Sequence, residues 1–276
     1  MSIIKEYFVS LKERLAEELQ VGNIGEEISH AIIPKRIFSF DLLGIDIQIT
    51  DAVLATWIVM VGILAFALYF GHKTEPVPTT KRQLIAESLV DVLMKLCRSS
   101  NMTEQQAETV VPYVGTIAIF ISLTNLSSMF KVAPPAKNPA FPIALALFTI
   151  LYVVVTSIRF VGFKGFWASL TYPKAMLLPF KILDYFIKPI SLSLRLFGNV
   201  FGAFILMEFI YIIIPAILPG IIGLWFDLAD GLLQGIIFTY LSVNYIGEVI
   251  EGAHMAHEAA EQEKAEKAEL AASFHA

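Results

Sequence analysis

The chain has 276 residues, 56% of them hydrophobic and 16% charged, with a net charge of −5 and a mean hydropathy of +0.68. A soluble domain carries about 25% charged residues, so this composition excludes a water-soluble globular protein and predicts a polytopic chain whose solvent is lipid. The single cysteine, Cys97, excludes an intrachain disulfide and a thiol metal cluster; no cofactor, metal or nucleic-acid partner is expected.

Residues 1–50 mix Lys5, Glu6, Lys12, Glu13, Arg14, Glu17 and Glu18 with short apolar groups. That layout is not the basic-then-apolar order of a secretory leader. It predicts an amphipathic extramembrane segment, a helix or two outside or on the membrane. A bilayer core needs about 20 apolar residues per helix. Spans are predicted over 52–71, 109–130, 138–158, 179–218 and 225–250, within a membrane domain of residues 51–252. Pro112 falls in the first turn of the second predicted span, where proline is tolerated. Between the first two spans, Ile85, Leu89, Val92, Leu93 and Leu96 recur at helical spacing, which predicts an interfacial amphipathic helix. Pro215, Pro219, Gly220 and Gly223 predict a turn before the last span. Residues 253–276, rich in Ala, Glu and Lys, predict a solvated helical tail, in which His254 and His257 lie on a water-facing surface. The expected fold is all-α, with five membrane helices and one interfacial helix. The last two spans are longer than a perpendicular crossing requires and are expected to tilt as a hairpin.

Basic residues orient the chain. The first loop holds Lys73, Lys81, Arg82, Lys95 and Arg98, and the third holds Arg159, Lys164, Lys174, Lys181 and Lys188. The second loop has only Lys131 and Lys137. The rich loops are therefore expected in the cytoplasm, with the N-terminus outside and the C-terminus inside.

Within the fourth span stands Arg195, in the run Ser191-Leu-Ser-Leu-Arg-Leu-Phe-Gly-Asn199. A guanidinium stays charged at any working pH. Burying it at membrane depth costs from about 3 to over 10 kcal/mol, depending on the scale. On a helix, Ser191, Arg195, Gly198 and Gly202 fall within about 60° of one another, giving a nearly bare face with one long cation. The glycines alone suit a static helix-packing face, but that reading leaves the arginine without a mate. Glu208 lies thirteen residues on, about 140° around the helix, which excludes a direct pair within the helix. In the last span Asp227, Asp230, Gln234, Tyr245 and Glu248 share a stripe, with Ser242 at its edge. The acids at its ends suit either water-filled access from both sides or simple loop and boundary positions. Gln234, away from both ends, is expected to make a polar contact to Arg195.

The run Ser193-Leu-Arg-Leu-Phe-Gly-Asn199, followed by Leu233-Gln-Gly-Ile-Ile-Phe-Thr-Tyr-Leu-Ser242, resembles the a subunits of the rotary F-type ATP synthases. Leu123-Thr-Asn-Leu126 and Asn138-Pro-Ala-Phe-Pro-Ile-Ala-Leu-Ala-Leu147 add to the likeness, which covers roughly residues 80 to 250. The resemblance implies a stator facing a ring of c subunits, with the b subunits of the peripheral stalk, the F1 sector and the bilayer as further partners. It implies two half-channels carrying H⁺ or Na⁺ to and from ring carboxylates, with Arg195 separating them. Ser191, Gly198 and Gly202 would face the ring, and Asn125, Asn199, Asp230, Gln234 and Glu248 would line the channels. Many bacterial members carry a glutamate nine residues after the arginine, where this chain has Phe204; Glu208, one turn further, is expected to replace it. Some have a histidine seven residues before the glutamine, where Asp227 stands here. The outer half-channel is thus expected at Glu208 and Asp227, in a bacterial plasma membrane. The competing class is a self-contained transporter or channel in which Arg195 binds an anion. An intramembrane enzyme is disfavoured, because no nucleophile–base pair or metal set stands at membrane depth.

Overall fold

The computed structural model describes residues 36–42, 45–72, 75, 80–127, 135–213 and 218–273. Residues 1–35 of the amphipathic segment predicted over 1–50 lie outside them. The chain opens with strands β1 (Arg36–Leu42) and β2 (Ile45–Thr50), paired antiparallel. This hairpin departs from the all-α expectation. Its cause is legible in Ile45-Asp-Ile-Gln-Ile-Thr50, an apolar–polar alternation of period two that suits a strand and not a helix.

Helices follow: α1 (Asp51–Gly71), α2 (Lys81–Ser99), α3 (Glu104–Leu126), α4 (Ala140–Thr171), α5 (Leu178–Ile213), α6 (Leu218–Trp225) and α7 (Gly231–Ser273). A π-helical turn, Phe226–Asp230, joins α6 to α7. Among the described residues four helical stretches are long and apolar enough to cross a membrane: Val53–Gly71, Glu104–Leu126, Ala140–Thr171 and Ile222–Leu270. Their surfaces fit that solvent. On α1, Ile58, Val61 and Leu68 are each about two-thirds exposed, which water would penalise and lipid does not.

Local chemistry sets the boundaries. Thr80 caps α2, its hydroxyl accepting from the Gln83 amide at 3.4 Å. Thr103 and Gln106 form a reciprocal capping box at the start of α3: Thr103 N–H donates to Gln106 Oε1 at 2.9 Å, and Gln106 N–H to Thr103 Oγ1 at 3.4 Å. Asn101, with φ 62°, makes the left-handed step between the two helices. Because α3 starts at Glu104, Pro112 sits inside it and not in its first turn. Helix α4 outruns its predicted end and kinks at Gly162, whose φ of 73° suits a residue without Cβ. The turn expected around Pro219, Gly220 and Gly223 is instead α6. Pro219 occupies its first turn, where the missing N–H has no carbonyl to meet.

The chain divides into two compact units. The first comprises Met1–Phe66, Ile119–Pro142 and Ser193–Gly235. Within it α7 approaches α3 closely, since a Cβ on Gly231 would lie 2.8 Å from Leu126 Cδ1 and 3.3 Å from Asn125 Cβ. The second comprises Ala67–Ala118, Ile143–Leu192 and Ile236–Ala276. Its core gathers Leu93 and Cys97 of α2, Val110 and Val114 of α3, Val153 of α4, and Val243 and Ile246 of α7. The Tyr113 and Tyr152 rings pack against this core and stack on each other, their centroids 3.5 Å apart. Burial pushes the Cys97 thiol up to about 11, so almost no thiolate exists at neutral pH. Of the apolar residues predicted on the amphipathic helix, Leu93 is buried, whereas Ile85, Leu89 and Val92 are exposed. The C-terminal half of α2 enters the core, leaving an apolar strip uncovered.

A Cβ at Gly247 would fall inside contact distance of the Ser100 backbone. Gly247→Ala is therefore expected to destabilise the chain by about 1–3 kcal/mol, the usual cost of overpacking. Gly62 has nothing within 4 Å, so Gly62→Ala should be neutral or slightly stabilising. Thermal unfolding of the two variants in lipid nanodiscs checks the contrast.

Candidate functional site

Helix α5 carries the arginine. Leu192 and Leu196 are almost wholly buried, while Leu194 is 62% exposed, which fixes the helix rotation. Gly198 and Gly202 fall on the exposed side. Among the described residues nothing lies within 4 Å of a Cβ placed on either glycine. The static packing reading thus finds no neighbour there among the described residues. Arg195 stands half-buried beside this bare strip. Among the described residues it makes no ion pair.

One turn beyond Arg195, Asn199 Nδ2 donates to Gln234 Oε1 at 2.7 Å. This corrects the expected Arg195 contact. The i+4 neighbour of the arginine reaches the glutamine oxygen, and no Arg195 hydrogen bond to Gln234 occurs among the described residues. Gln234 is 1% exposed, and its Nε2 has no hydrogen-bond partner among the described residues. A buried amide left with free N–H donors costs about 1–3 kcal/mol, and such an orphan calls for an explanation. Asn125, 6% exposed, borders Gly231, three residues before the glutamine. Thr124 Oγ1 beside it is also buried without a partner among the described residues.

The acids are placed less uniformly. Glu208 lies in α5. Asp227 and Asp230 sit in the π-helical turn between α6 and α7; wide turns of this kind recur at functional sites. Arg195, Asn199, Gln234, Asn125, Glu208, Asp227 and Asp230 all belong to the first unit, whereas Ser191 and Glu248 belong to the second. There Glu248 accepts from Lys188 Nζ at 2.7 Å. The pairing went unread in the sequence, although Lys188 stands seven residues before Arg195.

Residues 53–247 match the family described as ATP synthase A chain. The chain belongs to that family. ATP synthase subunit a of Moorella thermoacetica is 30% identical over 207 residues, covering 75% of this chain and 93% of that protein. The sodium-ion-specific ATP synthase subunit a of Propionigenium modestum is 28% identical, covering 72% of this chain and 73% of its own. ATP synthase subunit a 1 of Crocosphaera subtropica is 28% identical, covering 72% and 86%. Membership in the ATP synthase A chain family makes this a membrane stator component serving ion transport and ATP synthesis, with the other subunits of that complex as its partners.

The amide pair gives a stability signature. Asn199→Leu leaves the Gln234 amide unpaired at both ends and is expected to cost about 1–3 kcal/mol, whereas replacing both residues by Leu should cost less than the single change. Thermal unfolding of the three chains distinguishes these outcomes.

Proposed function

We propose that this chain forms the ion path of the ATP synthase membrane sector, with Arg195 as the fixed cation that separates two half-channels. The observation that carries the reading is the half-buried guanidinium beside the open Gly198–Gly202 strip, without an ion-pair mate among the described residues. A ring of c subunits would cover that strip and present one carboxylate at a time. The partly lipid-screened guanidinium holds the arriving carboxylate in its ionised form, and its planar fork engages it through two hydrogen bonds. Ions enter by one half-channel, load a ring carboxylate, travel round and leave by the other. Each charge crossing 100 mV supplies about 2.3 kcal/mol, so several crossings must be summed for one ATP.

In this reading Asn199 holds the Gln234 oxygen, so the amide presents only N–H donors to whatever approaches. A donor set binds carboxylate oxygens and carries no mobile proton, which suits a barrier between the channels. Glu208 and Asp227 serve the outer half-channel, with Asp230 and Asn125 alongside. Ser191, Gly198 and Gly202 face the ring. H⁺ and Na⁺ both fit, because the selective carboxylate lies on the ring; one relative is named sodium ion specific.

Helix α5, 36 residues long, serves as the fifth membrane helix. It spans about 54 Å at 1.5 Å per residue, more than a bilayer core, and therefore tilts. Helix α2 lies at the interface with Ile85, Leu89 and Val92 toward lipid. The basic loops face the cytoplasm of a bacterial cell, with the b subunits and the F1 sector on that side.

Arg195→Ala is expected to abolish ion-driven ATP synthesis in liposomes holding the full complex, with the complex still assembled. Normal coupled synthesis in that variant contradicts the reading. Glu208→Gln is expected to slow translocation far more than Phe204→Ala, and passive ion flux through the membrane sector checks the ranking. The reverse order assigns the outer acid elsewhere.

A further inference from the structure

One face of α2 takes no part in the ion path just described. Ile85, Leu89 and Val92 are 61%, 42% and 59% exposed, whereas Leu93, Met94 and Cys97 of the same helix are buried. At roughly 100° per residue the three exposed residues fall within about 60° of helix surface. Lys81 and Arg82 flank this strip, each about 20° beyond one margin. The acids of the helix lie elsewhere. Asp91 and Glu87 stand more than about 120° from the centre of the strip, and Glu87 accepts from Gln83 Nε2 at 2.7 Å. Arg82 also fixes the level of the helix. Its Nη1 donates to the Tyr69 carbonyl at 3.4 Å, and its guanidinium lies 4.8 Å from the centroid of the Tyr69 ring. Tyr69 stands in the last turn of α1, where the apolar stretch Val53–Gly71 ends. Its carbonyl is one of the last four of that helix, which have no N–H partner within it. Its ring is 58% exposed, as suits an aromatic side chain at the edge of a bilayer. The start of α2 is thereby tied to the depth at which a span leaves the hydrocarbon. Two cations and no acid occupy the first turn of α2, an arrangement the helix dipole disfavours until an anion meets it.

We propose that this face binds an anionic phospholipid, its phosphate held between Lys81 and Arg82 and its acyl chains laid along Ile85, Leu89 and Val92. The inference deepens the interfacial placement of α2 given above and rests on it. Two features commit the strip to lipid. Through Arg82 it is continuous with the lipid-exposed end of α1, and both charges that flank it are positive. A zwitterionic headgroup brings its own cation to such a site, whereas an anionic headgroup brings net negative charge that complements both side chains. Each basic side chain near the surface enriches anionic lipid about fivefold. The bound headgroup in turn holds the corner between α1 and α2 at a fixed depth.

The experiment uses the full chain in vesicles of phosphatidylcholine with a minority of phosphatidylglycerol. Ile85→Cys carries a fluorophore, while Cys97 is buried and stays unlabelled. Either lipid is supplied brominated, so that quenching of the probe reports which one lies beside the strip. Mole for mole, phosphatidylglycerol is expected to be preferred about 25-fold, the product of two fivefold terms. Lys81→Gln should lower the preference to about fivefold, and Lys81→Gln/Arg82→Gln should abolish it. Molar salt should abolish it too, and Lys81→Arg should keep it. Equal quenching by the two lipids with Lys81 and Arg82 in place overturns the proposal and keeps α2 at the interface. Quenching by neither removes the interfacial placement beneath it. Quenching in the isolated chain that is lost in the assembled complex shows the strip covered by another subunit, which also overturns the proposal. If the double variant does not fold, Lys81→Gln and the salt series carry the test, and an unmoved preference in either overturns it.

Discussion

A guanidinium held in an apolar helix, without an ion-pair mate among the described residues, is the constraint that the rest of this chain accommodates. Its charge is permanent, so the protein cannot lower the cost by deprotonation, as it would with a buried lysine. Compensation must come from water or from a partner that brings negative charge. Either source needs room beside the arginine, and the chain supplies it by omission, with Gly198 and Gly202 open on the adjoining face. The same cost explains the care taken with neighbouring polar groups. Gln234 is buried, yet its oxygen is committed to Asn199, so it offers the site donors and no competing acceptor.

Preorganisation of this kind requires helices that do not drift, and lipid gives no hydrophobic drive to hold one helix against another. Close approach takes its place. Gly231 lets α7 meet α3 at Asn125 and Leu126, and Gly247 lets α7 meet the Ser100 backbone. Ser100 Oγ then reaches Asn244 Oδ1 at 3.0 Å, and Asn101 Nδ2 reaches Glu251 Oε2 at 3.1 Å. Polar bonds between helices supplement van der Waals contact where the solvent itself is apolar. Within each unit, small residues position the elements on which the polar groups stand.

Much of this was legible before any coordinates. Uncharged stretches such as Val53–Gly71 must be helical in lipid because every backbone group needs a partner, so hydropathy alone located them. The expectation that Arg195 lacks a mate on its own helix came from counting the acids there and their angular positions. What escaped were features set by tertiary context or by short signals. The β1–β2 alternation was overshadowed by the charged residues before it. Pro219 and Gly220 read as a turn, although the first turn of a helix tolerates both. Nothing in Phe226–Asp230 announces a π-helical turn, because its composition is that of any amphipathic stretch. The Asn199–Gln234 and Lys188–Glu248 pairs join positions 35 and 60 residues apart, beyond the reach of a one-helix argument.

The two pairs place opposite demands on their surroundings. An amide pair is neutral, so the site tolerates it beside Arg195 without altering the local potential. An ion pair is neutral only while both members stay in place. Its position two turns down α5, with one member at 55% exposure, lets water absorb the residual field. Arg195 forms no such pair among the described residues, so its charge must be met by water or by a partner.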